Sequence, residues 1–397
     1  MQIFRWNIKF VLQLVLFAFL CLSFTPSITN AGEDSNDEYA VKIHGFASQG
    51  FIYSISNNLF SLSAKHGSFD LTEVGLNFTK KLSDQVSTGI QLFTRRLGST
   101  GDFDAKVDWF YLNYRFLNNY GMRIGRTKIP FGLYNEINDT DSARANILMP
   151  QSIYPAANRD FLLAQNGFEL YGYQNIDDFG ALELRLYAGT IFLDAITVSS
   201  TSSTFSNINV PYLFGGRLMW ETPVAGLRTG VSLQSLRLDF NAALPSGILR
   251  GTSLDSIPAL IWVGSVEYNH DNLLIAAEYS KWNERLLVFT PIDFNLAVVS
   301  ERMYAMVAYR FTSWFQPEIY YSYLFNGVGI DRTLPENHSK DLALALRFDL
   351  TQNWILKAEG HYVNGTVGLS SALNNGQAIG AMQPNWGSFL LRATGYF

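Results

Sequence analysis

The sequence predicts an all-β fold: a closed antiparallel, up-and-down transmembrane β-barrel of about 16 strands. Three observations predict it. Apolar and polar residues alternate over many segments, the connections between these segments alternate between short and long, and the composition is rich in aromatic residues but poor in charge. Charged residues make up only 16% of the 397 residues, against about 25% in an average soluble domain. No long apolar segment follows the first 25 residues, so a helical membrane protein is not expected.

The charge balance argues against several other classes of protein. The formal net charge is -5 and no Lys/Arg cluster exceeds two adjacent residues, so no nucleic-acid partner is expected. A disordered chain would need more charge and fewer aromatic residues than the 15% found here. A coiled coil would be rich in Ala, Glu, Lys and Leu.

The N-terminus predicts a secretory signal peptide over residues 1–31. Two basic residues precede an apolar core at residues 10–24, and small residues follow in a cleavage motif that ends at Ala31. We therefore expect residues 32–397 to form the barrel. The single cysteine, Cys21, lies in the apolar core, so the mature chain would have neither a disulfide nor a Cys-ligated metal.

Alternation with period two is the strongest local signal in the mature chain. Residues 340–349, for example, place Leu342, Leu344 and Leu346 on one face and Arg347 on the other. Because the side chains of a strand point alternately to its two faces, this pattern indicates a strand with one apolar face. A soluble sandwich alternates in the same way, so the number and spacing of such segments must decide between the two folds.

Sixteen segments of this kind occur, and their connections are alternately short and long. A barrel in an outer membrane has short turns on one side and long loops on the other. The short connections carry the Asn, Asp, Gly, Ser and Pro residues that tight turns need, whereas the long ones, such as 191–210 and 241–255, are rich in Ser, Asn and Gly. The predicted strands are 39–54, 69–82, 86–96, 106–116, 121–130, 166–173, 181–190, 211–222, 227–240, 256–268, 273–283, 301–311, 316–325, 340–350, 353–363 and 386–397.

The last predicted strand, residues 386–397, ends in Phe397 and has apolar residues at alternate positions. Here the chain resembles the bacterial outer-membrane barrel class, whose last strand ends in Phe and is bound by the barrel-assembly machinery. Gly395 stands where that class more often has a large apolar side chain. The resemblance implies location in a cell outer membrane, contact with its lipid and recognition by the assembly machinery.

The longest predicted loop is the third, residues 131–165, which follows Gly125-Arg126 near the end of the preceding strand. Here the chain resembles the sixteen-stranded porin superfamily of Gram-negative bacteria, which includes general-diffusion and phosphate-selective porins. Those proteins often carry Gly-Arg before a third loop that folds inward and narrows the pore. The resemblance implies a homotrimer that passes small hydrophilic solutes. The Pro-Glu-Phe-Gly-Gly-Asp element of the general-diffusion porins is absent, so no loop carboxylate is carried over.

The composition of the third loop predicts an inward fold independently. A loop of 35 residues is uncommon in a compact protein, and residues such as Ile147, Tyr154 and Phe161 make it too apolar to be freely solvated. A sixteen-stranded barrel is wide enough to need narrowing, and acids on the loop facing bases on the wall would sort solutes by size and charge. The predicted constriction residues are Arg95, Arg96, Arg115, Arg126, Lys128, Glu136, Asp139, Asp141, Arg144 and Arg159.

Two alternatives to this constriction stay open. The charges could lie in extracellular loops and serve only to keep the loops solvated. In addition, Arg126 and Lys128 share the parity of Met122 and Ile124, so alternation does not by itself direct them inward unless a bulge intervenes.

An enzyme is not expected. Barrel hydrolases use His with Ser, Asn or Asp, and of the five histidines only His44 and His361 lie in predicted strands near the closure of the barrel. No Ser-containing motif stands beside them. No spacing of metal ligands and no Gly-rich phosphate loop occurs, so neither a metal nor a cofactor is expected.

Two functions remain. One is an outer-membrane porin, a water-filled channel for passive diffusion of small hydrophilic solutes or ions. The other is a β-barrel sleeve or scaffold for a partner protein of an electron-transfer or secretion complex. A lumen narrowed by the third loop favours the porin, and a wide lumen without an inserted loop favours the sleeve.

Overall fold

The structure is a computed structural model of the chain. It describes residues 38–98, 101–193, 196–198, 203–244, 247–253, 259–289, 294–327 and 331–397. The predicted signal peptide lies outside the described residues, so its cleavage stays a prediction. Residues Val41–Phe397 form one compact unit.

An antiparallel sheet of 20 described strands closes on itself, because the first strand pairs with the last. Sixteen of the strands form the wall of the barrel, so the predicted barrel and its strand number are confirmed. The strands are β1 Lys42–Ile55, β2 Ser68–Lys81, β3 Val86–Leu97, β4 Lys106–Leu117, β5 Tyr120–Lys128, β6 Ala164–Ile176, β7 Gly180–Thr190, β8 Ile196–Val198, β9 Ser203–Asn209, β10 Leu213–Glu221, β11 Leu227–Leu236, β12 Asp239–Leu244, β13 Gly247–Ser253, β14 Ala259–His270, β15 Leu273–Phe289, β16 Phe294–Tyr309, β17 Phe315–Asn326, β18 His338–Asp349, β19 Trp354–Gly365 and β20 Asn385–Tyr396.

Four of these strands extend the wall beyond the end that carries the long loops. β9 pairs with β12, and β13 pairs with the long strand β15. The prediction of loops at 191–210 and 241–255 was therefore wrong in part. Peptide groups beside a strand that continues past the barrel body find hydrogen-bond partners there, and the Ser- and Asn-rich composition does not prevent this pairing.

The closing seam of the barrel joins β1 to β20. The register runs from Phe46 opposite Tyr396 to Ile55 opposite Gly387, and the backbone of Phe397 exchanges two hydrogen bonds of 3.0 and 3.1 Å with Gly45. Lipid offers no partner for an open strand edge, so a spanning sheet must be closed in this way.

The two faces of the wall are inverted relative to a soluble barrel. Outward-facing Leu344 is 51% exposed, whereas inward-facing Arg347 is 7% exposed and Lys357 is 0% exposed. The outer surface is thus an apolar band, and the interior carries the charged side chains. Aromatic side chains such as Phe116 and Trp314 are exposed near the short turns, as expected at a membrane–water interface.

No helix in the described part of the chain has the length and apolar character needed to cross a membrane.

Leu344 tests the assignment of the outer face. An Arg in the middle of a lipid-facing band costs about 2–4 kcal/mol, so Leu344→Arg should lower the folded fraction in lipid vesicles, as measured by heat-modifiable gel mobility. Leu334→Arg is the matched control, because Leu334 is 43% exposed in the loop between β17 and β18. Equal folded fractions for the two variants would show that Leu344 does not face lipid.

Candidate functional site in the barrel lumen

The connection between β5 and β6 is the third loop, and it lies inside the barrel. In the structure it spans residues 129–163, two residues earlier than the predicted 131–165. It contains three short 3₁₀ turns, Asn135–Ile137, Asp141–Ala143 and Ala156–Asn158, and one short helix, Arg159–Leu163. Loops normally run over the surface, where water satisfies their peptide groups. Most of this loop is buried instead, so the inner wall must provide its partners.

Apolar side chains attach both ends of the third loop to the wall. Ile129, Phe131 and Ile153 are 0% exposed and Tyr154 is 1% exposed. They share one buried cluster with inward-facing residues of strands between β7 and β18. The wall members are Tyr187, Leu213, Met219, Leu236, Ala259, Ile261, Val263, Ala276, Trp282, Tyr304, Met306, Tyr320 and Ala343. Burying one such large side chain contributes about 1.5–3 kcal/mol, so this side of the lumen is a packed core.

Glu278 on β15 holds the apolar part of the third loop by hydrogen bonds. Its carboxylate accepts from the Leu133 backbone N–H at 2.9 Å, from the Tyr154 hydroxyl, and from the Tyr304 hydroxyl at 2.9 Å. Because a buried carboxylate is costly without such partners, these donors determine where the loop can lie.

Asp141 attaches the middle of the third loop to the closing seam. Its Oδ1 accepts from Lys357 Nζ of β19 at 2.9 Å and lies 3.4 Å from Arg392 Nη1 of β20, while Oδ2 accepts from the Thr394 hydroxyl at 2.7 Å. That hydroxyl lies 2.9 Å from Ser48 Oγ on β1. One loop carboxylate therefore connects the strands on both sides of the seam.

The ionisation of Asp141 is strongly stabilised. Burial raises its pKa, but the charges of Lys357, Arg392 and Arg144 outweigh burial and hold the pKa well below its ordinary value. A carboxyl group whose pKa is lowered by folding stabilises the folded state at pH values above its pKa in the unfolded chain. This stabilisation is lost as the pH falls through the pKa of the folded state. This attachment should therefore persist into mildly acidic solution.

Charged wall residues also bind the backbone that follows Asp141. Arg347 on β18 donates to the carbonyl oxygens of Ser142 at 2.6 Å and Arg144 at 3.0 Å. Glu359 on β19 accepts from the Ile147 N–H. These side chains supply the backbone hydrogen bonds that a neighbouring strand would supply in a sheet.

The opposite side of the lumen holds Glu136. Its carboxylate lies 3.1 Å from Arg185 of β7 and 3.0 Å from Arg217 of β10. Arg185 also pairs with the buried Glu169 of β6. The third loop is thus fastened to strands on opposite sides of the lumen by ion pairs.

A second ionic cluster joins the third loop to β4 and β5. Arg159 donates to both carboxylate oxygens of Asp108, at 2.8 and 2.7 Å, and lies 3.2 Å from Asp139. Asp139 in turn pairs with Lys128 Nζ at 2.9 Å. Bidentate Arg–carboxylate pairs are directional, so this cluster orients the short helix that ends the loop.

Beyond the third loop, toward the long-loop end, the lumen opens into a cavity of about 1410 Å³, which we call the vestibule. Loop residues Gln151, Ser152, Pro155, Arg159 and Phe161 contribute to its lining. Its other lining residues belong to the long loops and to the strand halves nearest to them. The third loop therefore lies between the vestibule and the short-turn end of the lumen.

Most of the predicted constriction residues meet at this loop. Arg95 and Arg126 line the vestibule, and Arg144 donates to the Ile147 carbonyl within the loop at 2.6 Å. Lys128, Glu136, Asp139, Asp141 and Arg159 form the ion pairs described above.

Arg96 and Arg115 lie apart from the other predicted residues. Arg96 donates to Asp70 on β2 at 2.9 Å, with no part in the vestibule lining. Arg115 donates to the Asp84 carbonyl at 2.7 Å. This contact lies at a short turn, at the end of the barrel away from the third loop.

The backbone near Arg126 departs from regular alternation. Gly125 has φ +135°, which residues with a side chain rarely adopt, and the pairing of β3 with β4 shifts where Asp108 is the extra residue. Arg126 donates to the Asp108 carbonyl at 2.7 Å, and Lys128 reaches Asp139. The bulge therefore lies on β4, at Asp108, while β5 keeps a regular register with β6 through Arg126 and Lys128.

Sequence reasoning missed two partners of the loop, Asp108 and Glu278. Glu278 shares the parity of Ala276 and Ser280 in a predicted strand, so alternation could have directed it inward. Asp108 offers no such signal, because a bulge breaks the period at that residue.

His361, Asp341 and Ser388 lie together on β18 to β20 but do not form a nucleophile–base pair. The His361 Nδ1 lies 3.0 Å from Asp341, and its Nε2 lies 2.7 Å from Glu359. Both ring nitrogens already have carboxylate partners, so neither is placed to take the proton of Ser388, the register partner of His361. Across the residues that the structure describes, no group of three or more His, Asp or Glu side chains could hold a metal ion.

Comparison with known proteins identifies the fold. No protein-family model matches the sequence, and no curated protein matches it. The outer membrane channel DcaP of Acinetobacter baumannii is similar at 14% identity, with a TM-score of 0.57 over 92% of this chain and 100% of that one. The anion-selective porin from Comamonas acidovorans is 12% identical, with a TM-score of 0.54 over 90% and 99%.

A third similar structure is the trimer form of OmpT, an outer membrane protein of Vibrio cholerae. It is 12% identical, with a TM-score of 0.53 over 90% of this chain and 99% of that one. Likeness at these identities establishes the fold alone, a closed antiparallel β-barrel that this chain shares with these outer-membrane proteins.

The attachment at Asp141 can be tested by a double-mutant cycle. Removing one member of a buried ion pair costs about 3–5 kcal/mol because the other charge is left unpaired. Asp141→Asn should therefore lower the free energy of unfolding, measured by urea titration in lipid vesicles, and adding Lys357→Met should recover part of the loss.

The exposed pair Lys81–Asp84 is the matched control, at 2.9 Å with Asp84 81% exposed. Asp84→Asn should change the free energy of unfolding by about 0–1 kcal/mol. If Asp141→Asn is equally mild, Asp141 does not hold the loop to the seam.

Proposed function

We propose that this chain forms a water-filled channel in an outer membrane, and that the third loop sets the channel's narrowest cross-section. Its substrates are small hydrophilic solutes or ions that diffuse passively. The observation that carries the proposal is the position of the loop, which crosses the lumen and binds strands on opposite sides through Glu136 and Asp141. No catalytic step belongs to the proposal.

The outer surface and the fold support the membrane location. The apolar outer band and the aromatic residues near the short turns suit a bilayer. In barrels of this kind the short turns face the periplasm, so the vestibule would open to the outside of the cell. The channel DcaP, the anion-selective porin and the trimer form of OmpT have the same fold, and the trimer form of OmpT favours a homotrimer.

The charges of the loop support weak rather than strong ion selectivity. Glu136 faces Arg185 and Arg217, and Asp141 faces Lys357 and Arg392. Side chains of both signs lie close together at the loop, so a passing ion meets attraction and repulsion over a short path.

The sleeve hypothesis is less well supported. A sleeve needs an interior wide enough for a partner protein, and here the third loop already occupies the lumen. Its contacts with β10 and β15 involve Glu136, Leu133 and Tyr154, all of which a threaded partner would have to displace.

Shortening the loop tests the channel. Tyr134 and Met149 belong to the same apolar cluster, so a short Gly-Ser linker in place of residues 135–148 would join two ends that both pack there. We expect a folded barrel with a higher single-channel conductance in planar bilayers and a larger size cut-off in liposome-swelling assays, because the narrowest cross-section widens.

A barrel shortened in residues 327–337, between β17 and β18, is the control and should keep the original conductance. Folding of each variant is checked by heat-modifiable gel mobility. The proposal fails if the folded 135–148 variant and the folded original protein conduct equally, or if neither conducts.

A further inference from the structure

The vestibule has two adjoining walls of different chemistry. On β3 to β6 its lining includes Arg95, Arg126 and Asn166. From the end of β7 to β15 the lining is apolar, and the floor adds Phe161 of the short helix. The apolar wall consists of Phe192, Leu193, Leu236, Leu238, Ala259, Ile261 and Trp282.

Within the described part of the chain, Arg95 and Arg126 of the first wall are bound by carbonyl oxygens rather than by ion pairs. Arg95 donates to the Ala156 carbonyl at 3.1 Å, and Arg126 Nε donates to the Asp108 carbonyl at 2.7 Å. A carbonyl oxygen satisfies one donor but carries no full charge. Each guanidinium has five N–H donors, so both retain donors for a ligand anion.

The neighbouring acids are already engaged. Asp108 and Asp139 pair with Arg159, and Asp160 lies 3.7 Å from the same guanidinium. Lys128 adds a further cation on Asp139. Leaving aside Asp102, Asp104 and Lys106, the lining of this wall has three cations, Arg95, Arg126 and Arg159, and two carboxylates, Asp108 and Asp160.

Other charged or titratable residues also line the vestibule. Arg302, Glu336, Asp341 and His361 lie outside the two walls described above. Asp102, Asp104 and Lys106 border the first wall and are exposed to solvent, where water and salt screen their effect on a ligand deeper in the vestibule.

Asn166 adds an unused donor beside Arg126. The two residues are direct register partners on β5 and β6, and among the described residues the buried Asn166 Nδ2 has no hydrogen-bond partner. A buried polar group without a partner costs free energy that a ligand oxygen would recover. The geometry offers a carboxylate two adjacent donors, one of them charged.

The apolar wall begins one strand further on. Thr190, the last residue of β7, is the register partner of Asn166, and Leu193 and the 71% exposed Phe192 follow it. Adjacent strands lie about 4.8 Å apart, so β5 and β7 are separated by about 10 Å. A single-ring carboxylate can span such a distance between its carboxylate contact and the contact of its ring.

We propose that the vestibule binds organic monocarboxylates with an apolar body. The carboxylate is bound by Arg126 and Asn166, and the body lies against Phe161, Phe192 and Leu193. This inference deepens the proposed channel function by naming the solute class that collects above the third loop.

Block of the KCl current in planar bilayers tests the proposal, with benzoate added on the vestibule side. Acetate has the charge without the ring, and benzamide has the ring without the charge. Benzoate should reduce the current at a lower concentration than either, because only benzoate uses both walls.

Two substitutions separate the contributions. Arg126→Gln should raise the half-blocking concentration of benzoate about tenfold, since it removes a charge-assisted hydrogen bond. Phe192→Ser should weaken the block of the current by benzoate and leave the block by acetate unchanged. Arg96→Gln removes the same charge outside the vestibule lining, and should leave the benzoate value unchanged.

The failure of this proposal differs from failure of the channel. A conducting protein for which benzoate, acetate and benzamide act alike, or for which Arg126→Gln equals Arg96→Gln, overturns the binding site and leaves the channel standing. If the folded protein carries no current, benzoate binding is measured instead by titration calorimetry. A saturable heat of binding that Arg126→Gln abolishes supports the site. The absence of a saturable heat in the original protein overturns it.

Discussion

The peptide groups of the third loop must find hydrogen-bond partners inside a barrel, where no strand lies beside them. A buried peptide group without a partner costs about as much as a lost hydrogen bond. The wall meets this need with charged side chains: Arg347 binds two carbonyl oxygens of the loop, and Glu278 and Glu359 bind its N–H groups. The abundance of inward charges of both signs follows from this need, whatever solute passes.

The same contacts connect the loop to the closure of the barrel. Asp141 binds Lys357 on β19 and Thr394 on β20, and Thr394 lies against Ser48 on β1. A transmembrane sheet is stable only when closed. This residue of the third loop therefore also stabilises the pairing of the first and last strands, so the candidate site and the fold depend on each other.

The wall could be predicted from the sequence, and the interior only in part. Period-two alternation is local, so residues such as Leu344 and Arg347 were assigned to the correct faces without any knowledge of their neighbours. The partners of the loop are distant in sequence: Asp141 and Thr394 are 253 residues apart, and no local pattern links them. At Asp108 and Gly125 the backbone itself departs from the period, so alternation could not place Asp108 or Arg126.

The most direct test of a loop fastened across the lumen is a disulfide between the loop and the wall. Ser152 of the loop and Ser322 of β17 have their Oγ atoms 2.8 Å apart, a separation at which two Cys side chains can bond. The chain's single natural cysteine, Cys21, lies in the predicted signal peptide. Mild oxidation of the folded Ser152→Cys/Ser322→Cys barrel should yield a disulfide and remove both free thiols. Two thiols that stay reduced, and react with a maleimide in the folded barrel, would place the loop outside the lumen.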